Sequence, residues 1–166
     1  EHQTAYTYDN AGRMTGMTDA LGYSTAYTYD QAGNLLTRTD EDGAVTKYSY
    51  DKENRLLNIK TDAGITSFTY DKLGRVVSVT DAEEQKEQRA YDGDGNLTAA
   101  TDKDGNQTTY TYHTSGRLAE KTDPDGGKTA YAYDSNGNCI KVTDAEGNIY
   151  SYEYDQYLIY TAFLFY

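Results

Sequence analysis

Tyr29-Asp30-Gln31-Ala32-Gly33-Asn34-Leu35 decides the reading of this chain, because the phrase keeps returning. It recurs as Tyr8-Asp9-Asn10-Ala11-Gly12-Arg13-Met14, as Tyr70-Asp71-Lys72-Leu73-Gly74-Arg75-Val76, and as Tyr91-Asp92-Gly93-Asp94-Gly95-Asn96-Leu97. The leading tyrosines are Tyr8, Tyr29, Tyr50, Tyr70, Tyr91, Tyr112, Tyr133 and Tyr154, spaced by 21, 21, 20, 21, 21, 21 and 21 residues. Self-similarity at a fixed period of this size marks a tandem array, in which each unit buries its apolar face against the next.

Within one period the residues alternate between turn chemistry and strand chemistry. In the fifth repeat Asp92-Gly93-Asp94-Gly95 reads as a turn and 97–101 as a strand; Asp102-Lys103-Asp104-Gly105 is a second turn and 107–112 a second strand. An Asp in first position can accept bonds from backbone amides two residues on, and Gly in fourth position takes positive φ without a Cβ clash. That is a type I turn closed by a glycine bulge, a common hairpin connection. In Tyr23-Ser24-Thr25-Ala26-Tyr27-Thr28-Tyr29, the Tyr residues and Thr25 share one face, and Ser24, Ala26 and Thr28 the other. Period two with aromatic and Thr enrichment argues for β-strand. Paired turn signals about every ten residues exclude a coiled coil, although 21 residues also equal three heptads. Tyr of successive hairpins are expected to form cross-strand aromatic pairs along the sheet.

The expected fold is all-β: tandem antiparallel β-hairpins of about 21 residues in a curved or spiralling sheet of about fifteen strands. Residues 1–155 form the array of seven to eight repeats, and residues 156–166 an apolar terminal strand or contact segment. Three places depart from the pattern. Asn54 replaces the turn Gly in the third repeat, which gains a residue before Thr61-Asp62 and loses two after it; a bulge and a tighter turn are expected there. Asp81-Ala82-Glu83-Glu84 lacks its Gly and precedes a polar run, making the weakest hairpin. His113 takes the place of the turn Asp in the sixth repeat. At the end, Tyr157, Leu158, Ile159, Tyr160, Phe163, Leu164 and Phe165 build an uncharged run of high β-propensity. Such a run is an aggregation hazard unless covered, and is expected to cap the last hairpin or to contact another chain.

Composition bounds the function. The 166 residues carry a net charge of −12, which argues against nucleic acid and against anionic membrane surfaces. No apolar run approaches the ~20 residues a spanning helix needs. Tyr supplies much of the apolar matter, with 19 Tyr, 3 Phe and no Trp. Tyr has an apolar body and a hydroxyl that needs a partner when buried, so thin and partly wet layers are expected. Cys139, the single cysteine, fills the slot held elsewhere by Met14, Leu35, Val76, Leu97 and Leu118, and reads as a small buried hydrophobe. The chain opens at Glu1 inside a repeat and is read as a piece of a longer array.

The unit Tyr-x-Tyr-Asp-x-x-Gly-Arg/Asn-Leu, followed by Thr-Asp-x-x-Gly, resembles the YD repeat of Rhs proteins. Bacterial wall-associated proteins, insecticidal toxin-complex C components and animal teneurins share it. The resemblance covers residues 6 to 155 and implies a long sheet of hairpins spiralling into a hollow shell. In toxin members the shell encloses a C-terminal effector; in teneurins it belongs to an adhesion ectodomain. The shell-closing segment with its processing site is not recognisable here, and Asp123-Pro124-Asp125-Gly126 occupies an ordinary turn slot. The chain is therefore expected to be an arc, an open spiral, or a unit completed by association.

No constellation in the sequence commands catalysis, a metal or a cofactor. Asp92-x-Asp94-x-Asn96 has Gly at position four and Lys103 at position twelve, against the Gly-six and Glu-twelve of an EF-hand loop. His2 and His113 have no recurring Ser or Cys partner. The candidate site residues are thus the structural signature: Tyr8, Asp9 and Gly12; Tyr29, Asp30 and Gly33; Tyr50 and Asp51; Tyr70, Asp71 and Gly74; Tyr91, Asp92 and Gly95; Tyr112 and Gly116; Tyr133, Asp134 and Gly137; Tyr154 and Asp155. Tyr110 and Tyr131 are candidates for stacking on a glycan. The leading expectation is a structural scaffold or encapsulating shell segment, secreted or on a bacterial surface, and not an enzyme. Its partners would be neighbouring shell segments or further copies, and an encapsulated polypeptide. The alternatives are a glycan- or cell-surface-binding adhesion module and a self-assembling extracellular fibre.

Overall fold

The computed structural model describes residues 3–154 and 160–165. They form sixteen strands and no helix. Contacts divide the chain into two compact units, 1–86 and 87–166. The first holds β1 (Ala5–Tyr8), β2 (Met14–Thr18), β3 (Ser24–Tyr29), β4 (Leu35–Thr39), β5 (Val45–Tyr50), β6 (Leu56–Thr61), β7 (Gly64–Tyr70) and β8 (Val76–Thr80). Each pairs antiparallel with the next. The second begins in β9 (Lys86–Tyr91) and continues through β10 (Leu97–Thr101), β11 (Gln107–Tyr112), β12 (Leu118–Thr122), β13 (Lys128–Tyr133), β14 (Cys139–Thr143), β15 (Ile149–Tyr154) and β16 (Tyr160–Phe165). The same sequential pairing runs through it.

The expected turn chemistry is present. Gly95 N–H donates to the Asp92 carbonyl at 3.3 Å, Asp92 N–H donates to the Asn96 carbonyl at 3.0 Å, and Gly95 has φ +97°. The Thr-Asp turns close identically, as at Asp102 and Gly105. Where Gly is missing the backbone still adopts positive φ, +62° at Asn54 and +63° at Glu84. Asn tolerates that region; for Glu it costs on the order of 1 kcal/mol.

The third repeat corrects one expectation. Its tighter turn exists, with Thr61 facing Gly64 across a two-residue loop, but the pairing from Asn58–Ser67 to Thr61–Gly64 is regular. The extra residue lengthens β6 instead of bulging out of it. Bulges lie elsewhere and recur. In each Tyr-Asp hairpin the leading Tyr faces the slot residue, and the next residue of that strand is skipped: Tyr29 faces Leu35, then Thr28 faces Thr37, leaving Leu36 unpaired. The same shift occurs at Tyr8, Tyr50, Tyr70, Tyr91, Tyr112 and Tyr133. A bulge kinks its strand and raises local twist.

The alternation of faces follows the sequence. Thr25, Tyr27 and Tyr29 are half-buried, while Ser24, Ala26 and Thr28 are exposed. The opposite face is tied by short polar contacts such as Thr28 Oγ1 to Thr37 Oγ1 at 2.6 Å. Among the described residues no apolar side chain is fully buried, and Ser78 at 7% exposure is the one polar residue that is. Cys139 therefore keeps its slot but is half-buried, not buried as expected.

Candidate functional site

The most highly organised chemistry of the array is the joint between one repeat and the next. It starts at the turn Asp. Asp9 Oδ1 accepts the backbone N–H of Ala11 at 2.9 Å and of Arg13 at 3.0 Å. Its Oδ2 accepts Arg13 Nε at 2.7 Å. The Arg13 guanidinium then reaches the following repeat: Nη1 donates to the Asp30 carbonyl at 2.7 Å, and the group lies 4.9 Å from the centre of the Tyr29 ring. Arg55 repeats the arrangement on Asp51, the Asp71 carbonyl and the Tyr70 ring. Where the slot after Gly holds Asn, the amide replaces the guanidinium, as in Asn34 Nδ2 to Asp30 Oδ2 at 2.8 Å.

The Tyr hydroxyl completes the joint. Beyond the bulge β2 and β3 have no paired residues, since pairing runs only from Gly16–Ala26 to Thr18–Ser24. Tyr29 fills the gap, its hydroxyl donating to the Met14 carbonyl at 2.8 Å. Tyr70 does the same to Leu56, Tyr112 to Leu97 and Tyr154 to Cys139, at 2.7–2.8 Å. This is why the position carries Tyr and not Phe: a half-buried carbonyl left without a ladder partner needs a donor. It also corrects the expectation of aromatic pairs along the sheet. Successive leading Tyr lie on alternate strands, about 10 Å apart by strand spacing, so the group that meets the Tyr29 ring is a guanidinium.

These contacts shift the titrating groups. Backbone and side-chain bonds from Arg13 hold the Asp9 carboxyl below the usual range. The Asn34 and Asn96 amides, with turn amides, do the same for Asp30 and Asp92. At Asp51 and Asp71 burial raises the pKa and is outweighed by bonds from Arg55 and Arg75. Burial pushes the Tyr50, Tyr112 and Tyr133 hydroxyls up.

The sixth joint differs. With His113 in place of Asp, the turn keeps its two backbone bonds, each 2.8 Å, without a carboxylate to accept the turn amides. The imidazole instead packs edge-on against Tyr133 at 5.8 Å, with Nε2 3.2 Å from the Tyr131 carbonyl oxygen.

Tyr110 and Tyr131 sit half-buried on the Tyr face, opposite Lys121 and Val142 respectively. Tyr154 is placed as above, while Asp155, Tyr157, Leu158 and Ile159 lie outside the described residues. Tyr160, Phe163, Leu164 and Phe165 belong to β16, which pairs with β15 from Tyr154–Tyr160 to Ile149–Phe165. Among the described residues no group of three or more His, Cys, Asp or Glu is arranged to hold a metal ion. The Asp92 loop that resembles a calcium site uses its carboxylate on Asp94 N, Asn96 N and Asn96 Nδ2. The residues that sequence reasoning passed over are Arg13, Arg55, Asn34 and their equivalents. Their signal was the Arg/Asn alternation after each turn Gly, since both side chains can donate to a carboxylate.

Comparison with known proteins agrees with this architecture. A crystal structure of TcdB2-TccC3-TEV superposes with a TM-score of 0.76 at 20% identity, covering 99% of this chain and 10% of that one. TcdB2-TccC3 without its hypervariable C-terminal region gives 0.72 at 19% identity over 98% of this chain and 10% of that one. A Tc holotoxin pore of Photorhabdus luminescens carrying a TccC3 mutation gives 0.71 at 20% identity over 97% and 10%. The chain thus spans about a tenth of the length of these structures. No curated protein matches it. Residues 2–24, 8–45 and 29–66 match the RHS repeat. Residues 62–166, more than half of the chain, match the teneurin YD-shell, and the chain belongs to that family of structural repeats.

Proposed function

We propose that this chain is a stretch of wall in a secreted or cell-surface YD-repeat shell, and that the shell encloses a polypeptide. The observation that carries the reading is the use of the signature residues. The hydroxyls of Tyr29, Tyr70, Tyr112 and Tyr154 and the turn carboxylates with their Arg or Asn donors, as at Asp9, Asp30 and Asp51, are bonded to the neighbouring turn or repeat. Groups so engaged hold a sheet together and are not free to act on a substrate, which favours a structural role over catalysis.

Protease challenge of the full-length protein tests it. A polypeptide segment inside a closed wall should survive at pH 7 and become cleavable once the wall is unfolded. Equal cleavage before and after unfolding would overturn the enclosure.

A further inference from the structure

The sixth joint lacks both carboxylates that hold an arginine at the third. There Arg55 Nη2 lies 2.6 Å from Asp51 Oδ2 and 3.3 Å from Glu53 Oε2. The backbone N–H groups of Glu53 and Arg55 both donate to Asp51 Oδ1, at 2.9 Å each. The sixth turn keeps the arginine and the two closing backbone bonds, but His113 stands where Asp51 does and Ser115 where Glu53 does. Among the described residues no carboxylate pairs with Arg117, and the N–H groups of Ser115 and Arg117 meet no acceptor. The imidazole is no substitute, since its contacts with Tyr131 and Tyr133 direct it to the following repeat.

Arg117 is nonetheless seated. Its guanidinium lies 5.9 Å from the centre of the Tyr133 ring and fills the place that a Cβ on Gly137 would take. Its side chain is exposed, whereas Arg13 and Arg55 are half-buried. The guanidinium borders a cleft of about 430 Å³ between the turns of two repeats, lined also by His113, Ser115, Tyr133, Asp134 and Ser135. The one carboxylate on this cleft, Asp134, is turned into its own turn, where it accepts Asn136 N at 2.9 Å, Asn138 N at 2.8 Å and Asn138 Nδ2 at 2.9 Å.

We propose that the sixth joint is an anion site that takes a carboxylate from outside the repeat, either a free acid or an acidic side chain. The position of an Asp carboxyl lies one bond from the Cβ of residue 113 and is closed to another molecule. The incoming group therefore approaches Arg117 from the solvent side, as Glu53 approaches Arg55. A planar carboxylate matches the guanidinium fork, and one of its oxygens can also accept a turn N–H. The net charge of −12 opposes an anion only at long range, because charges beyond about 8 Å are screened at physiological salt. Binding to the folded turn alone stabilises this joint.

The test is a nitrogen–proton correlation NMR titration of the 166-residue chain with sodium acetate, total salt being held constant near about 0.15 M with sodium chloride. The expected result is a saturable shift of the Ser115 and Arg117 amides and of Arg117 Nε, with a Kd of roughly 1–30 mM. The matching groups of Glu53 and Arg55 should not move. Arg117→Asn and His113→Asp each install a residue that other repeats carry at that position, as at Asn34 and Asp9, and a thermal melt checks their folding. Arg117→Asn should weaken binding about tenfold or more, the scale of one charge-assisted contact. His113→Asp should abolish the shift by supplying the carboxylate from within. A Gly-Glu-Gly peptide with blocked termini distinguishes the sources: tighter binding than acetate assigns the site to a side chain, weaker binding to a free acid. No saturable shift, equal shifts at Glu53 and Arg55, equally tight binding of inorganic phosphate, or unchanged affinity in both variants would overturn the proposal.

Discussion

Replacing Tyr112 by Phe removes one oxygen and leaves the ring in place. The Tyr112 hydroxyl donates to the Leu97 carbonyl at 2.8 Å, where β10 and β11 have no ladder pairs beyond Ala99–Thr109. A neutral hydrogen bond is worth about 1 kcal/mol net, and the half-buried carbonyl left behind adds a part of its desolvation cost. The loss should therefore be about 1–1.5 kcal/mol. For a chain of 166 residues that lowers the melting temperature by about 2–6 °C. The control is Tyr110→Phe, two residues away on the same face, whose hydroxyl makes no hydrogen bond among the described residues. It should stay within about 0.5 kcal/mol of wild type. Both variants change the unfolded chain alike, so their difference isolates the bond. Urea titration followed by circular dichroism gives both values. Equal destabilisation by the two would refute the role assigned to the hydroxyl.

Four further outcomes follow from the same joints. Acid should weaken the fold in one direction only. The folded pKa values of Asp9, Asp30, Asp92 and Asp134 lie below their ordinary values, so their stabilisation is complete above about pH 4 and fades as pH falls through the folded values; a melting temperature flat down to pH 2.5 would contradict this. His113→Asp should restore the missing carboxylate and raise the melting temperature by about 2–4 °C per bond gained, with new hydrogen-exchange protection at Ser115 and Arg117. Glu84→Gly should relieve the φ of +63° and stabilise by about 1 kcal/mol, measured by urea titration. Gly95→Val, at φ +97°, should cost about 1–3 kcal/mol or more, and an unchanged melt would mean the turn is misassigned.

Much of the fold was legible because its signals are local. Asp in first place and Gly in fourth act within one turn, so the type I geometry at Asp92 and Asp102 could be read without knowing the partner strand. Alternation in Ser24–Tyr29 likewise told its faces apart. The recurring strand bulge after the slot residue, distinct from the glycine bulge of the turn, was missed because it is a property of a pair. Its trace was present: Met14 and Met17, Leu56 and Ile59, Val76 and Val79 are apolar at spacing three inside one strand. A regular strand would put such residues on opposite faces, while the skipped residue puts both opposite a Tyr strand. The joint residues were missed for a related reason. Arg13 meets Tyr29 and Asp30 across 17 residues, a contact fixed by the register of neighbouring hairpins.

Cryo-electron microscopy of the full-length protein that contains this segment tests the central claim most directly. The account predicts residues 3–154 as consecutive antiparallel hairpins in a closed wall, with polypeptide density on one side of it. An extended rod, or a wall around an empty interior, would contradict it.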